Sequence, residues 1–300
     1  MPKVAVILST YNGEKFIKEQ IDSILNQTYK DFDLILRDDG SKDSTVKIVE
    51  EYVNKNLNIK LIKEENVGFI KSFYKLLEIA EGYEYYCFAD QDDFWENDKL
   101  NLLVEELEKA DSKTPNLVYS DSDYYDENMN FIKKGHTNRK ASFRNSLVEC
   151  VSQGMTMMIN KTARDIVIQK KSKNSIFHDQ WCYMICSSLG EVKYVPKALV
   201  RYRRLNNSVT AEGRGIIAVF KWRIKKLLVG GGLKKFKTQI LDFKELFYDE
   251  LDENKKDLLD LFTEKYSLIN AIKKCFYPKR FRRKILDEII VRILFLFGVL

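Results

Sequence analysis

Tyr85-Tyr86-Cys87-Phe88-Ala89-Asp90-Gln91-Asp92-Asp93 is an apolar, aromatic-rich run that ends in three carboxylates within four residues. Its first five residues have the composition of a buried strand. Carboxylates this close repel one another, and hard oxygen donors at such density suit Mg²⁺ or Mn²⁺. A cation that keeps open positions in turn attracts a diphosphate. Taken alone, the cluster leaves three readings open. Asp92 or Asp93 is a helix N-cap, Asp90 and Asp92 are the nucleophile and acid of a phosphohydrolase, or the cluster clamps a metal-bound diphosphate.

Working outward, apolar runs bounded by turn residues alternate with segments of helical period. Val4–Leu8, Phe32–Leu36, Ile59–Ile62, Tyr83–Ala89 and Leu117–Tyr119 read as strands; Phe16–Leu25, Ser44–Tyr52, Phe69–Ile79 and Leu100–Leu107 read as helices. Such alternation predicts an α/β fold, a mainly parallel sheet with helices on both faces, whose ligands bind beyond the carboxyl ends of the strands. Polar clusters follow three of these strands: Ser9-Thr10-Tyr11-Asn12-Gly13, Asp38-Asp39-Gly40-Ser41 and Asp90-Gln91-Asp92-Asp93.

Beyond Ser122 the pattern loosens. It resumes with a strand at Gly154–Ile159, a helix from Lys161, a helix at Asp179–Ser188 and short strands at Val192–Val195 and Leu199–Tyr202. After Gly215 long amphipathic helices take over, so the division expected is 1–213 for the main domain and 214–300 for a helical C-terminal segment.

Composition narrows the function. The net charge is +6, and the tail from Ala271 to Leu300 holds eight Lys or Arg against two acids, which accounts for all of it. A neutral main domain argues against nucleic acid as a partner. Five cysteines without a paired ladder read as reduced packing residues of a cytoplasmic protein. Met1–Leu8 has no basic region, long apolar core or cleavage site, and reads as a first strand, not a signal peptide. No stretch reaches the roughly 18 to 20 apolar residues of a membrane span. No G-x-G-x-x-G or P-loop occurs, which disfavours dinucleotide oxidoreductases and NTPases.

Asp38-Asp39 follows an apolar strand and opens a helix. One carboxylate suffices for a cap; a second beside a nucleobase imide can accept its N–H. With Val4–Gly13, Ser23-Ile24-Leu25-Asn26-Gln27-Thr28-Tyr29, Asn66-Val67-Gly68 and Phe88–Trp95, these residues make five motifs in order. The set resembles the signature of family 2 glycosyltransferases with the GT-A fold, over roughly residues 3 to 210. The Ala-Asp-Gln-Asp-Asp-Phe-Trp variant is most similar to that of bacterial rhamnosyltransferases that build surface polysaccharides.

The resemblance implies an inverting transfer of a sugar from a nucleotide donor, dTDP-rhamnose or a UDP-hexose, to a hydroxyl of a polysaccharide or lipid-linked glycan. It implies Ser9, Thr10 and Tyr11 around the nucleobase and ribose, with Asp39 or Asp38 on the base imide. Asp90 would meet the ribose or the metal, and Asp92 would ligate Mg²⁺ or Mn²⁺. Asp179, in His178-Asp179-Gln180-Trp181, is the candidate base, with helix capping as its alternative, and His178 could help position it. Arg203 in the Tyr-Arg segment is the candidate diphosphate ligand. Relatives often carry a metal-binding His two residues after that arginine, where this chain has Leu205. A non-catalytic nucleotide-binding scaffold and the phosphohydrolase stay open as rivals; Asp93 stands where phosphohydrolases usually have Thr or Val.

In the tail, Lys279-Arg280-Phe281-Arg282-Arg283-Lys284 leads into the apolar Ile285–Leu300. Two readings stand. One is a peripheral anchor on the anionic inner face of the plasma membrane; the other is a helix packed on the domain with its cations solvated.

Overall fold

The computed structural model describes residues 3–135, 141–174, 177–205 and 232–298. Its first half follows the alternation in order: β1 (Val4–Thr10), α1 (Ile17–Leu25), β2 (Phe32–Asp38), α2 (Thr45–Val53), β3 (Ile59–Lys63), α3 (Phe69–Ile79) and β4 (Tyr85–Ala89). A short β5 (Phe94–Trp95), α4 (Lys99–Leu107) and the long β6 (Asn116–Tyr125) come next. The second half adds β7 (Phe131–Lys133), α5 (Phe143–Ser146), β8 (Met157–Asn160), α6 (Lys161–Gln169), α7 (His178–Leu189) and β9 (Glu191–Arg203).

The strands form one sheet in the order β3-β2-β1-β4-β8-β6-β9-β5, with β7 on β6. The pairings β3-β2-β1-β4 are parallel, whereas β8 runs antiparallel to both β4 and β6. Strand order turns back at β1: β2 and β3 lie on one side of it and β4 on the other. Val4 stands opposite both Phe32 and Tyr85, so the three central strands share a register. Their carboxyl ends therefore deliver Ser9–Tyr11, Asp38-Asp39 and Asp90–Asp92 to one edge, where open α/β sheets bind ligands.

Alternate residues of the central strands feed two cores. Ala5, Ile7, Tyr86 and Phe88 pack under α3, α6 and α7; Val4, Val6, Leu8 and Cys87 pack under α1, α2 and α4. Helices thus cover both faces, and the buried strands read as continuous apolar runs.

Two local expectations change. Val192–Val195 and Leu199–Tyr202 belong to the single strand β9, whose pairing with β6 shifts register between Ser120 and Ser122. Pro196, which has no N–H to give, lies in the stretch that split the pattern. Gly154–Thr156 is a 3₁₀ turn, and strand β8 begins only at Met157.

Among the described residues, the helices α8 (Gly232–Phe247), α9 (Glu253–Thr263), α10 (Leu268–Cys275) and α11 (Ile285–Leu296) follow. Phe243 and Phe247 stack at 4.7 Å and lie 5.7 and 6.0 Å from Trp181 of α7; Phe262, Phe281 and Phe295 meet edge to face. These rings continue the core beneath α7. The boundary expected near residue 213 lies outside the described residues. Among those described, no helix is long and apolar enough to cross a membrane.

Candidate active site

Asp90 and Asp92 open onto a cleft of about 580 Å³ that Ser9, Tyr11, Asp39 and Asp179 also line. The loop bearing the acids is built from both sides. Gln91 accepts from the Thr10 hydroxyl at 2.7 Å and from the Tyr11 N–H at 2.9 Å, tying the loop to the end of β1. On the other side Gln27, fully buried, donates to the Glu96 carbonyl at 2.8 Å and accepts from the Leu100 N–H at 3.0 Å. The Ser23–Tyr29 motif thereby fixes the chain just after the carboxylates.

Removal from water dominates the electrostatics of the cluster. Burial first, then the charges of Asp92 and Asp179, push the Asp90 carboxyl up to about 7. Burial also raises Asp92, against the pull of Arg203, and raises Asp93 well above the carboxylate range, with Asp90 and Asp92 adding to it. Beneath them the fully buried Lys99 donates to the Met155 carbonyl at 2.7 Å and sits over the Trp95 ring. Burial pulls its ammonium down to about 8, and its residual charge offsets part of the repulsion at Asp90 and Asp93.

The donor set fits Mg²⁺ or Mn²⁺. Two hard carboxylates face the cleft, each disfavoured as an anion until a cation arrives. Among the described residues no group of three His, Cys, Asp or Glu is spaced to hold a metal alone. One or two carboxylates completed by substrate phosphate and water is the ordinary pattern for Mg²⁺.

Asp39 lies at the β2 end of the cleft, almost fully buried. Its carboxylate accepts from the Arg37 guanidinium at 2.6 Å and from the N–H groups of Val67 at 2.8 Å and Gly68 at 2.9 Å. The Asn66-Val67-Gly68 motif therefore binds Asp39, and Gly68 takes the left-handed φ of 83° that this turn requires. Ser9 Oγ meets Ser72 Oγ at 2.6 Å, and Ser72 also accepts from Arg37.

Three expected site residues do not line the cleft. Thr10 is buried against Gln91. Asp38 is spent on its own turn, accepting from the Gly40 and Ser41 N–H groups and the Ser41 hydroxyl. Arg203, expected on a diphosphate, instead holds the acidic loop. Its Nε donates to the Asp92 carbonyl at 2.8 Å, its other nitrogens reach the Glu127 carbonyl and the Glu19 carboxylate, and its N–H donates to Asp93. Arg203 is the last residue of β9, opposite Tyr125 of β6.

Asp179 stands in the first turn of α7, across the cleft from β1. Its carboxylate accepts from the Gly154 N–H at 3.2 Å and the Gln180 N–H at 2.7 Å, so it helps cap the helix while facing the cleft. Burial raises it to about 6, with those N–H groups pulling the other way. His178 beside it is 5% exposed and lines the same cleft. Its ring lies 4.0 Å from that of Phe73 and stacks on Phe88, and among the described residues neither nitrogen has a hydrogen-bond partner. Burial drives its pKa down to about 3, so the imidazole is neutral. It does not hydrogen-bond Asp179. Phe69 and Phe177, rings 5.8 Å apart and about half exposed, flank the mouth.

Arg37, Lys99 and Gly154 escaped the sequence reading. Arg37 carried one signal, a buried-strand charge between the apolar run Leu34–Leu36 and Asp38-Asp39. Lys99 carried none, because a lysine in the first turn of an amphipathic helix reads as a surface residue.

Comparison with known proteins bears on the family and the fold. The dTDP-rhamnosyl transferase RfbG of Shigella flexneri is 28% identical over 73% of this chain and 78% of its own. The structure of Staphylococcus aureus TarS residues 1–349 in complex with UDP superposes with a TM-score of 0.60 at 20% identity, over 92% of this chain and 75% of that one. A mannosyltransferase from Pyrobaculum calidifontis, in complex with GDP-Man and Mn²⁺, gives a TM-score of 0.54 at 16% identity over 99% and 86%. At those identities the two structures establish the shared fold. Residues 5–167 match the model of Glycosyl transferase family 2, and the chain belongs to that family.

Proposed function

We propose that the protein transfers a sugar, L-rhamnose from dTDP-rhamnose, with inversion, to a hydroxyl of a growing surface polysaccharide or lipid-linked glycan. One observation carries this reading. Asp39, the pair Asp90 and Asp92, and Asp179 line a single cleft, which gives a nucleobase, a metal-bound diphosphate and an acceptor hydroxyl a carboxylate partner each.

Asp39, held rigid by Arg37 and two N–H groups, has a lone pair left for the base imide. Ser9 and Tyr11 border the nucleoside. Asp90 and Asp92 would hold a divalent cation, which when bound neutralises charge on the leaving diphosphate. Asp179, ionised above about 6, takes the proton of the acceptor hydroxyl as that oxygen attacks the anomeric carbon. The neutral His178 imidazole offers one donor and one acceptor to a sugar hydroxyl, which would satisfy its unpartnered nitrogens. Arg203 acts through the loop, keeping Asp92 aimed at the cleft. The rhamnosyl donor is supported by the likeness to RfbG. A UDP-hexose is the second reading, favoured by the fold shared with the UDP complex of TarS.

The test is a panel of nucleotide sugars incubated with the full chain and Mg²⁺ or Mn²⁺, reading release of nucleoside diphosphate. Release is expected from dTDP-rhamnose and lost in Asp179→Asn. Preference for UDP-hexoses would transfer the assignment to the second donor. Phosphate release from simple monoesters, without nucleotide-sugar turnover, would revive the hydrolase.

A further inference from the structure

The outward arcs of the last two helices are apolar where solvent-facing helices are normally polar. On α11, Ile285, Ile289, Ile293 and Leu296 share one side and are 37% to 66% exposed, while Val291, Leu294 and Phe295 are buried on the other. On α10, Leu268, Ile269 and Ile272 point outward, as does Phe276 at its C-cap, 77% exposed. The two helices pack side by side. The Tyr266 hydroxyl donates to the Leu296 carbonyl at 2.9 Å, and Arg292 of α11 donates to the carbonyls of Cys275 and Tyr277 at the end of α10.

The segment between these helices lines a second concavity, of about 520 Å³, with Arg144, Lys279, Arg280, Arg282 and Arg283. Arg283 pairs with Glu149 at 3.3 Å, and Glu288 is taken up by Arg292 and the Arg282 N–H. Among the described residues no carboxylate pairs with Lys279 or Arg280, and the buried Arg282 Nε has no acceptor. A cationic hollow beside a wide apolar face is built for an anion attached to hydrocarbon.

We propose that the outward faces of α10 and α11, with this hollow, dock the protein onto an anionic lipid bilayer, lipid phosphates entering the hollow and the aliphatic side chains entering the interface. The helix α11, about 18 Å long at 1.5 Å per residue, would lie in the membrane plane, not across it. Charge selects this occupant. A second copy paired about an axis at the hollow would set it against its own like, one paired through the arcs alone would leave its cations unmatched, and free phosphate would leave the apolar arcs in water. The inference goes beyond sugar transfer, and its test reads no turnover, so neither reading stands or falls with the other.

The test is flotation of the full chain with vesicles of phosphatidylcholine or of an equimolar mixture with phosphatidylglycerol. Binding is expected to require phosphatidylglycerol. It should weaken between 0.1 M and 1 M salt, where the Debye length falls from about 10 Å to about 3 Å. The double change Ile289→Glu and Ile293→Glu should cut flotation at least ~10-fold. Reversing Lys279 and Arg280 to Glu should cost at least ~5-fold for each charge. Thermal unfolding of both variants, altered only at exposed side chains, is expected to match the parent. A chain that stays unfloated on both vesicles, or variants that float like the parent, would overturn the proposal. So would a solution dimer that the Ile289→Glu and Ile293→Glu changes dissociate, since that would assign the face to a second copy.

Discussion

The Gly154 N–H donates to the Asp179 carboxylate at 3.2 Å, and the space its side chain would fill is taken by His178: a Cβ there would stand 3.0 Å from Nε2. One glycine therefore sets the position of two cleft residues from separate parts of the chain, the turn before β8 and the start of α7.

Gly154→Ala should act on catalysis without removing a functional group. The added methyl must push the imidazole, which Phe73 and Phe88 confine, and lies 3.7 Å from the Asp179 Cβ. Small misplacement of a base is costly, so kcat is expected to fall about 10-fold or more with the melting temperature little changed. Unchanged kcat would show that the two residues tolerate the shift and that their spacing is not critical.

The acid limb of the pH profile follows from Asp179. Burial holds its carboxyl up to about 6, and a base must be ionised to work, so kcat/KM should rise with pH and level off above that value. Asp179→Asn should lower the rate by about 10² to 10⁴-fold and abolish that limb. An unaltered limb in the variant would assign the titration elsewhere.

Much of this site was legible because strand ends are. Tyr85–Ala89 and Leu34–Leu36 are apolar runs that stop at charge, and a parallel sheet brings such ends to one edge; that alone places Asp39, Asp90 and Asp92 together. Orientation was not legible. Arg201, Arg203 and Arg204 read alike in the chain, yet Arg201, opposite Phe94 of β5, pairs with Glu96, while Arg203, opposite Tyr125 of β6, faces the acidic loop. Lys99 shows the same limit: nothing near it in sequence says that Trp95 and Met155 will cover it.

The acidic cluster predicts an inverted response to metal. In the folded chain burial raises the Asp92 carboxyl, so the anion is less stable there than in the unfolded chain. Above the unfolded value of about 3.9 this penalty lowers stability as pH rises. Without metal at pH 8, Asp92→Asn should therefore melt higher than the parent. With Mg²⁺ or Mn²⁺ the parent should gain stability by mass action, and the variant should gain little. Thermal melts with chelator and with each metal check both halves; equal metal-induced gains would remove Asp92 from the ligand set.

Arg37 is the residue on which the nucleotide end depends. Its side chain is fully buried and bonds Asp39 at 2.6 Å, Ser72 Oγ at 2.9 Å and the Glu65 carbonyl at 3.0 Å. Removing it strands the Asp39 carboxylate, itself 3% exposed, with only the Val67 and Gly68 N–H groups. Loss of one partner from a buried pair costs about 3 to 5 kcal/mol, so Arg37→Ala should lose that order of stability in urea unfolding and bind nucleoside diphosphate more weakly. Arg37→Lys keeps the charge but lacks the planar fork, and should fall between. The stranded charge can be separated from lost packing by adding Asp39→Asn to Arg37→Ala. If the uncompensated carboxylate is the main cost, the double variant recovers part of the stability and none of the nucleotide affinity. A double variant no more stable than Arg37→Ala would mean that packing of the arginine, not its pairing with Asp39, holds this end of the cleft.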